Sequence, residues 1–171
     1  MEHILLSRKR AEKLDAKAIS ALEKRLRCRI TLDAENEITL EGEPYNEYNA
    51  KNVLQAFNRG FGIGTACKLL NDEYFFEFIN LKDIFRDKDQ IRRVKARIIG
   101  KEGKAKSYIE SVSGASIAVY GNTVSAIGRI EDVSVADVAI KILIGGGMHK
   151  TAYRVMEEQR RKLKEQGFMN G

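Results

Sequence analysis

Gly100 and Gly103 enclose only Lys101 and Glu102, and here residue type and spacing point most directly to chemistry. Two glycines so close let a backbone turn sharply and meet a ligand with no Cβ in the way. Arg92, Arg93, Lys95 and Arg97 precede the turn, and Lys104 and Lys106 follow it. The turn opens a helix, whose first N–H groups favour an anion. The chemistry expected is therefore non-covalent capture of phosphate. Glycines at this spacing are common, so the flanks carry the specificity. Residues 93–99 read as a short strand with an apolar end. Ile109 and Val112 recur at helical spacing, Gly114 stops that helix, and residues 115–119 read as the next strand.

No catalytic constellation accompanies the turn. His3 and His149 lie at opposite ends of the chain, no Asp-x-Asp cluster appears, and neither histidine has a cysteine or acidic partner at metal spacing. No metal and no cofactor are expected. Gly60-x-Gly62-x-Gly64 is not a dinucleotide fingerprint, since its spacing differs from G-x-G-x-x-G and it follows a helix rather than a strand. Helix termination accounts for it.

The elements that must position the turn occur twice. In the first copy a strand at Ile4, Leu5 and Leu6 precedes a helix over residues 15–27. A hairpin follows around Ala34, Glu35 and Asn36, then a helix carrying Ala50, Val53, Leu54 and Phe57, then a shorter one with Ala66, Leu69 and Leu70. Residues 73–81 read as a strand or extended connector and 82–90 as a polar linker. In the second copy Leu22-Glu23 becomes Ile109-Glu110 and Ile30-x-Leu32 becomes Ile117-x-Val119, in one ungapped register. One residue lost at the hairpin then aligns Gly42 with Gly128, Ala50 with Ala136, Phe57 with Leu143, Gly60 with Gly146 and Thr65-Ala66 with Thr151-Ala152. Strands broken by helices, with one tight hairpin per copy, give an α+β class. Domains are expected at 1–86 and 87–171, the second ending in a basic helix over 149–166 with Arg160, Arg161, Lys162 and Lys164 facing water.

Where the second copy has its glycine turn, the first has residues 7–13, without glycine. The first copy is expected to keep the fold and lack the clamp, with Arg8, Lys9 and Arg10 in a solvated basic turn. Charge agrees: residues 1–86 hold 14 Lys/Arg against 14 Asp/Glu, and 87–171 hold 16 against 10, so an anionic polymer is the expected partner. Cys28 and Cys67 form no C-x-x-C pair and read as reduced core thiols, which with the lack of an apolar span places the chain in the cytoplasm, away from membranes.

The run from Ile98 through Gly100 and Gly103 to Val119 resembles the KH domain, whose G-x-x-G loop clamps about four nucleotides of single-stranded nucleic acid. Two type I copies, each a small three-stranded sheet packed on helices, the first degenerate, look like one family in particular. It is the small-subunit ribosome assembly factor of archaea and eukaryotes called the partner of Nob. The likeness is closest over residues 93–128 and continues through Gly147-Met148-His149-Lys150-Thr151-Ala152-Tyr153, with Met148 where the family has proline. The resemblance implies binding to the 3′ end of small-subunit ribosomal RNA. It also implies assistance to the endonuclease that trims that RNA, contact with an initiation factor subunit, and no catalysis. A subunit of an RNA-processing enzyme and a protein–protein scaffold remain the alternatives.

On this reading Gly100, Lys101, Glu102 and Gly103 form the clamp, with Arg97, Lys104, Lys106, His149 and Lys150 around it. Ile99, Ser116 and Ala118 would floor the groove where bases lie. Glu102 is expected to face solvent or cap the helix, and Tyr108 to be half-buried rather than a stacking platform.

Overall fold

The computed structural model describes residues 1–169, and the chain divides into two compact units, Met1–Asn71 and Asp72–Gly171. In the first, β1 (Glu2–Leu5), α1 (Arg8–Ala11), α2 (Ala16–Leu26), β2 (Cys28–Leu32), β3 (Glu37–Gly42) and α3 (Pro44–Asn58) follow in order, then the single turn α4 (Ile63–Ala66) and a 3-10 turn. The second repeats the scheme with β4 (Tyr74–Asn80), α5 (Lys88–Ile99), α6 (Lys104–Ser113), β5 (Ser116–Tyr120), β6 (Thr123–Arg129) and α7 (Ile130–Ile144), and adds α8 (His149–Met169). Each has a three-stranded antiparallel sheet with its last strand in the middle, β1-β3-β2 and β4-β6-β5.

The α+β class and the duplication hold, and the repeat register appears as repeated contacts. Ile30 N–H donates to Glu23 Oε1 (2.8 Å) in one unit, and Ile117 N–H donates to Glu110 Oε2 (3.1 Å) in the other. Gly42 and Gly128 both sit where a Cβ would press on the strand alongside, 3.0 Å from Cys28 Sγ and 3.3 Å from Ala115 Cα.

Two expectations are corrected. Residues 73–81 do form a strand, but β4 belongs to the second unit, where all seven of its residues pair with β6 from Tyr74↔Arg129 to Asn80↔Thr123. The division therefore falls after Asn71 instead of Arg86. Recounted, residues 1–71 hold 12 Lys/Arg against 10 Asp/Glu, and 72–171 hold 18 against 14. The charge contrast between the units is milder than expected, and local placement matters more. Residues 93–99, expected as a strand, are the last two turns of α5, which buries Ile91, Val94 and Ile98 along one face.

That face joins the core of the second unit, where Ile98, Ile109, Val135 and Leu143 are fully buried. Burying a side chain of this kind stabilises by about 1.5–3 kcal/mol, so the two helices flanking the turn are anchored from beneath. Cys28 and Cys67 are buried free thiols, and desolvation pushes both above the ordinary thiol range. Among the described residues no helix is long and apolar enough to cross a membrane.

Candidate nucleic-acid interface

α5 ends because Gly100 takes φ +75°. A Cβ there would lie 2.5 Å from Ala105 Cβ and 2.7 Å from Ala105 N, so only glycine fits. Glu102 (φ +57°) and Gly103 (φ +74°) keep the chain in the left-handed region, and Gly103 N–H closes the turn on Gly100 O at 3.2 Å. A Cβ on Gly103 would meet nothing within 4 Å. One glycine is therefore needed inside the protein, while the other faces open space. Lys101 and Glu102 are exposed, and Lys104 lies at the margin of an ion pair with Glu102, 4.0 Å away. No side chain caps α6; its first N–H, on Lys104, donates to Lys101 O, so the 3-10 turn runs directly into the helix with its positive end toward the turn.

The first unit solves the same turn differently. Its equivalent of Arg97 is Arg10, as their shared partners show. Arg10 Nε donates to Phe57 O at 2.8 Å and a second guanidinium nitrogen bonds Phe61 O; Arg97 bonds Leu143 O at 2.9 Å and also Gly147 O. In that register Lys13, Leu14, Asp15 and Ala16 stand opposite Gly100, Lys101, Glu102 and Gly103. Leu14 is buried, and the Asp15 carboxylate accepts from Ala18 N at 2.7 Å, capping α2. The first unit thus caps its helix with its own carboxylate, where the second has no side-chain cap. The segment equivalent to the glycine turn is residues 13–16 instead of 7–13, and it has no glycine. Arg10 is buried and stacked on Phe57, not part of a solvated turn.

Arg97 is likewise turned inward, its guanidinium fastening the C-terminal end of α7. His149 Nε2 lies 2.7 Å from Arg97 O, so that nitrogen carries the hydrogen it donates. Together the two residues tie α5, α7 and the start of α8 beside the glycine turn. Lys106 is paired with Glu110 at 2.9 Å and half-buried. Ile99 is half-buried next to Gly100, outside the core that takes Ile98. Ser116 is half-buried and Ala118 buried. They stand opposite Ile127 and Ser125, and alternation puts them on the sheet face away from Ile117 and Val119, which join the helix-side core. Lys150 is exposed on the first turn of α8.

Tyr108 holds α6 to α8. Its hydroxyl donates to Glu157 and its ring lies 4.5 Å from that of Tyr153. The bond to the Glu157 carboxylate pushes the Tyr108 phenol above its ordinary range, so it remains a donor at neutral pH. Arg160, expected in water, also ties α8 down: it donates to Val112 O (3.2 Å), to Ser113 O and to Asp132 Oδ1 (2.7 Å). The i, i+4 pair Tyr153 and Glu157 was the available sequence signal for this seam.

These contacts predict how Arg97 responds to substitution. Arg97→Ala removes the guanidinium bonds to Gly147 O and to Leu143 O, the latter keeping Gly146 N–H as a donor, and should lower stability by about 1–3 kcal/mol, read by urea unfolding of the full chain. Arg97→Lys should restore only part, since one ammonium does not reproduce the planar fork. Unchanged stability with a loss of RNA affinity would turn Arg97 outward again.

A three-stranded sheet with its last strand central, helices on one face, and an open G-x-x-G turn joining the first two helices define a type I KH domain; the first unit has the same plan without the turn. Residues 75–161 match the family model of the eukaryotic type KH-domain (KH-domain type I) in its form as the second KH domain of PNO1, and the chain belongs to that family. A KH domain-containing protein of Methanocaldococcus jannaschii is 39% identical over 152 residues, covering 86% of this chain and 67% of the relative. The pre-rRNA-processing protein pno1 of Aspergillus fumigatus is 29% identical over 118 residues, covering 67% of this chain and 47% of the relative, so this chain spans about half of that protein. The crystal structure of the a/eIF2alpha–aDim2p–rRNA complex from Pyrococcus horikoshii contains a chain that superposes with TM-score 0.85 at 32% identity, covering 94% of each.

Proposed function

We propose that this protein binds single-stranded RNA through the glycine turn of its second unit and acts in assembly of the small ribosomal subunit, without catalysing a reaction. The observation that carries this is the turn itself: a helix start with no side-chain cap, a glycine facing open space and exposed lysines on either side. The processing role draws on the relatives called pre-rRNA-processing proteins, and a partnership with an initiation factor subunit draws on the Pyrococcus horikoshii complex. The RNA is the 3′ region of small-subunit rRNA and the work is done in the cytoplasm, beside the endonuclease that trims that RNA. Lys101, Lys104 and Lys150 meet phosphates, Gly100 and Gly103 let the sugar-phosphate backbone approach, Glu102 stays in solvent, and Ile99 offers the apolar contact nearest the turn. His149, Arg97 and Lys106 hold that surface in shape from behind.

The test is titration of the full chain with a labelled single-stranded RNA from the rRNA 3′ end at several salt concentrations. Three phosphate contacts at the turn should give a log–log slope of about −2 for an RNA of four nucleotides, and at least as steep for a longer one. A flat response would leave the lysines as a solvated face and favour a scaffold. The same RNA incubated with the protein and Mg²⁺ should remain intact. Cleavage that survives repurification and disappears with a point mutation would make the protein an enzyme.

A further inference from the structure

Beyond Lys150, α8 offers two further cations, Arg154 and Arg161, that nothing in the glycine turn requires. Tyr108 meets Tyr153 and Glu157, while the Val112 and Ser113 carbonyls meet Arg160. Moving up α6 thus moves up α8, and the two helices run parallel. One turn before Tyr108 is Lys104, and one turn before Tyr153 is His149, so both helices start at the same end. At about 100° per residue, Lys150, Arg154 and Arg161 fall within about 40° of one another on α8, on the flank that carries Glu157 and therefore beside α6. All three are exposed, and none makes a side-chain ion pair or hydrogen bond among the described residues.

Several other cations of this unit are engaged internally: Arg97 and Arg160 on carbonyls, Lys106 on Glu110, Lys141 on Asp137. Arg154 and Arg161 flank a shallow groove whose other walls are Glu157 and Glu158. Those carboxylates already have partners, the Tyr108 hydroxyl for Glu157 and the Lys162 ammonium (3.6 Å) for Glu158. What the groove leaves uncommitted is a pair of guanidinium groups, the side chain best suited to two-point contact with phosphate. From Lys150 to Arg161 the row runs about 16 Å at 1.5 Å per residue, more than one nucleotide spans.

We infer that the flank of α8 marked by Lys150, Arg154 and Arg161 is a phosphate track, along which single-stranded RNA continues after leaving the glycine turn. This rests on the RNA-binding reading and extends it. The turn holds about four nucleotides, and the track takes the phosphates beyond them. RNA longer than the turn requires is therefore bound more tightly, through backbone contacts that do not read bases.

The experiment compares single-stranded RNAs of four and of ten nucleotides, cut from the same stretch of the rRNA 3′ end, on the full chain and on Arg154→Glu/Arg161→Glu. The unaltered chain should bind the longer RNA at least tenfold more tightly. The double variant should lose most of that advantage while holding the four-nucleotide RNA as before. Its salt slope for the longer RNA should be shallower by about 1.4, two contacts at 0.7 each. Arg154→Ala/Arg161→Ala, which adds no negative charge, should order the same way, and circular dichroism melts should match the unaltered chain. Equal affinity for both lengths, or a length advantage that survives both variants, overturns the track and leaves the turn standing. Failure to bind either RNA overturns both.

Discussion

Replacing Lys101 and Glu102 together by aspartate should weaken binding of single-stranded RNA at least about tenfold, or about 1.4 kcal/mol, and leave the melting temperature where it was. Both residues are exposed, and neither touches the core beneath the turn. Glu102 sits at φ +57°, a region aspartate enters more readily than most residues, so the backbone should be undisturbed. The electrostatics change sharply. A mutually neutral pair becomes two negative charges where the α6 N-terminus and Gly103 leave space for phosphate. Fluorescence anisotropy at fixed salt gives the affinity, and a circular dichroism melt checks the fold. A folded double variant that binds as before would place the RNA elsewhere.

A fragment of residues 72–171 should unfold cooperatively and bind RNA, whereas residues 87–171 should not fold. The shorter piece lacks β4 and so strips a seven-residue ladder from β6, the central strand. It also loses Leu81, which is fully buried, and Ile79 and Phe85, which pack against the same core. Losing buried side chains at about 1.5–3 kcal/mol each, together with a ladder, is comparable with the 5–15 kcal/mol that holds a typical domain together. Residues 1–71 should fold but bind little RNA, because Asp15 occupies the helix start that phosphate would use. Thermal melts and anisotropy on the three fragments decide it. A cooperative transition in 87–171 would make the β4 ladder dispensable, and tight RNA binding by 1–71 would remove the asymmetry between the units.

The sequence by itself determined the glycine turn, the helix after it, the hairpin around Ala34, Glu35 and Asn36, and the internal repeat from Leu22/Ile109 to Thr65/Thr151. These are local or periodic properties. Glycine is needed where the backbone must enter the left-handed region, and an apolar stripe repeats at the spacing of its element, wherever the rest of the chain lies. α5 was also legible in principle, since Ile91, Val94 and Ile98 follow the helical period; the run Ala96-Arg97-Ile98-Ile99 at its end looked like a strand only because it is short and apolar. Only the tertiary structure decided the rest. A β-prone segment such as residues 74–80 does not announce its partner, because strand pairing is settled by an edge formed some fifty residues later in the chain. Nor does an arginine show which way its donors point. Arg10, Arg97 and Arg160 read as surface charge until folding brings carbonyls at helix ends within their reach, and charge-assisted hydrogen bonds to those carbonyls turn the side chains inward. The face taken by Ser116 and Ala118 follows a related rule: alternation tells which residues share a face, but only packed helices tell which face is which.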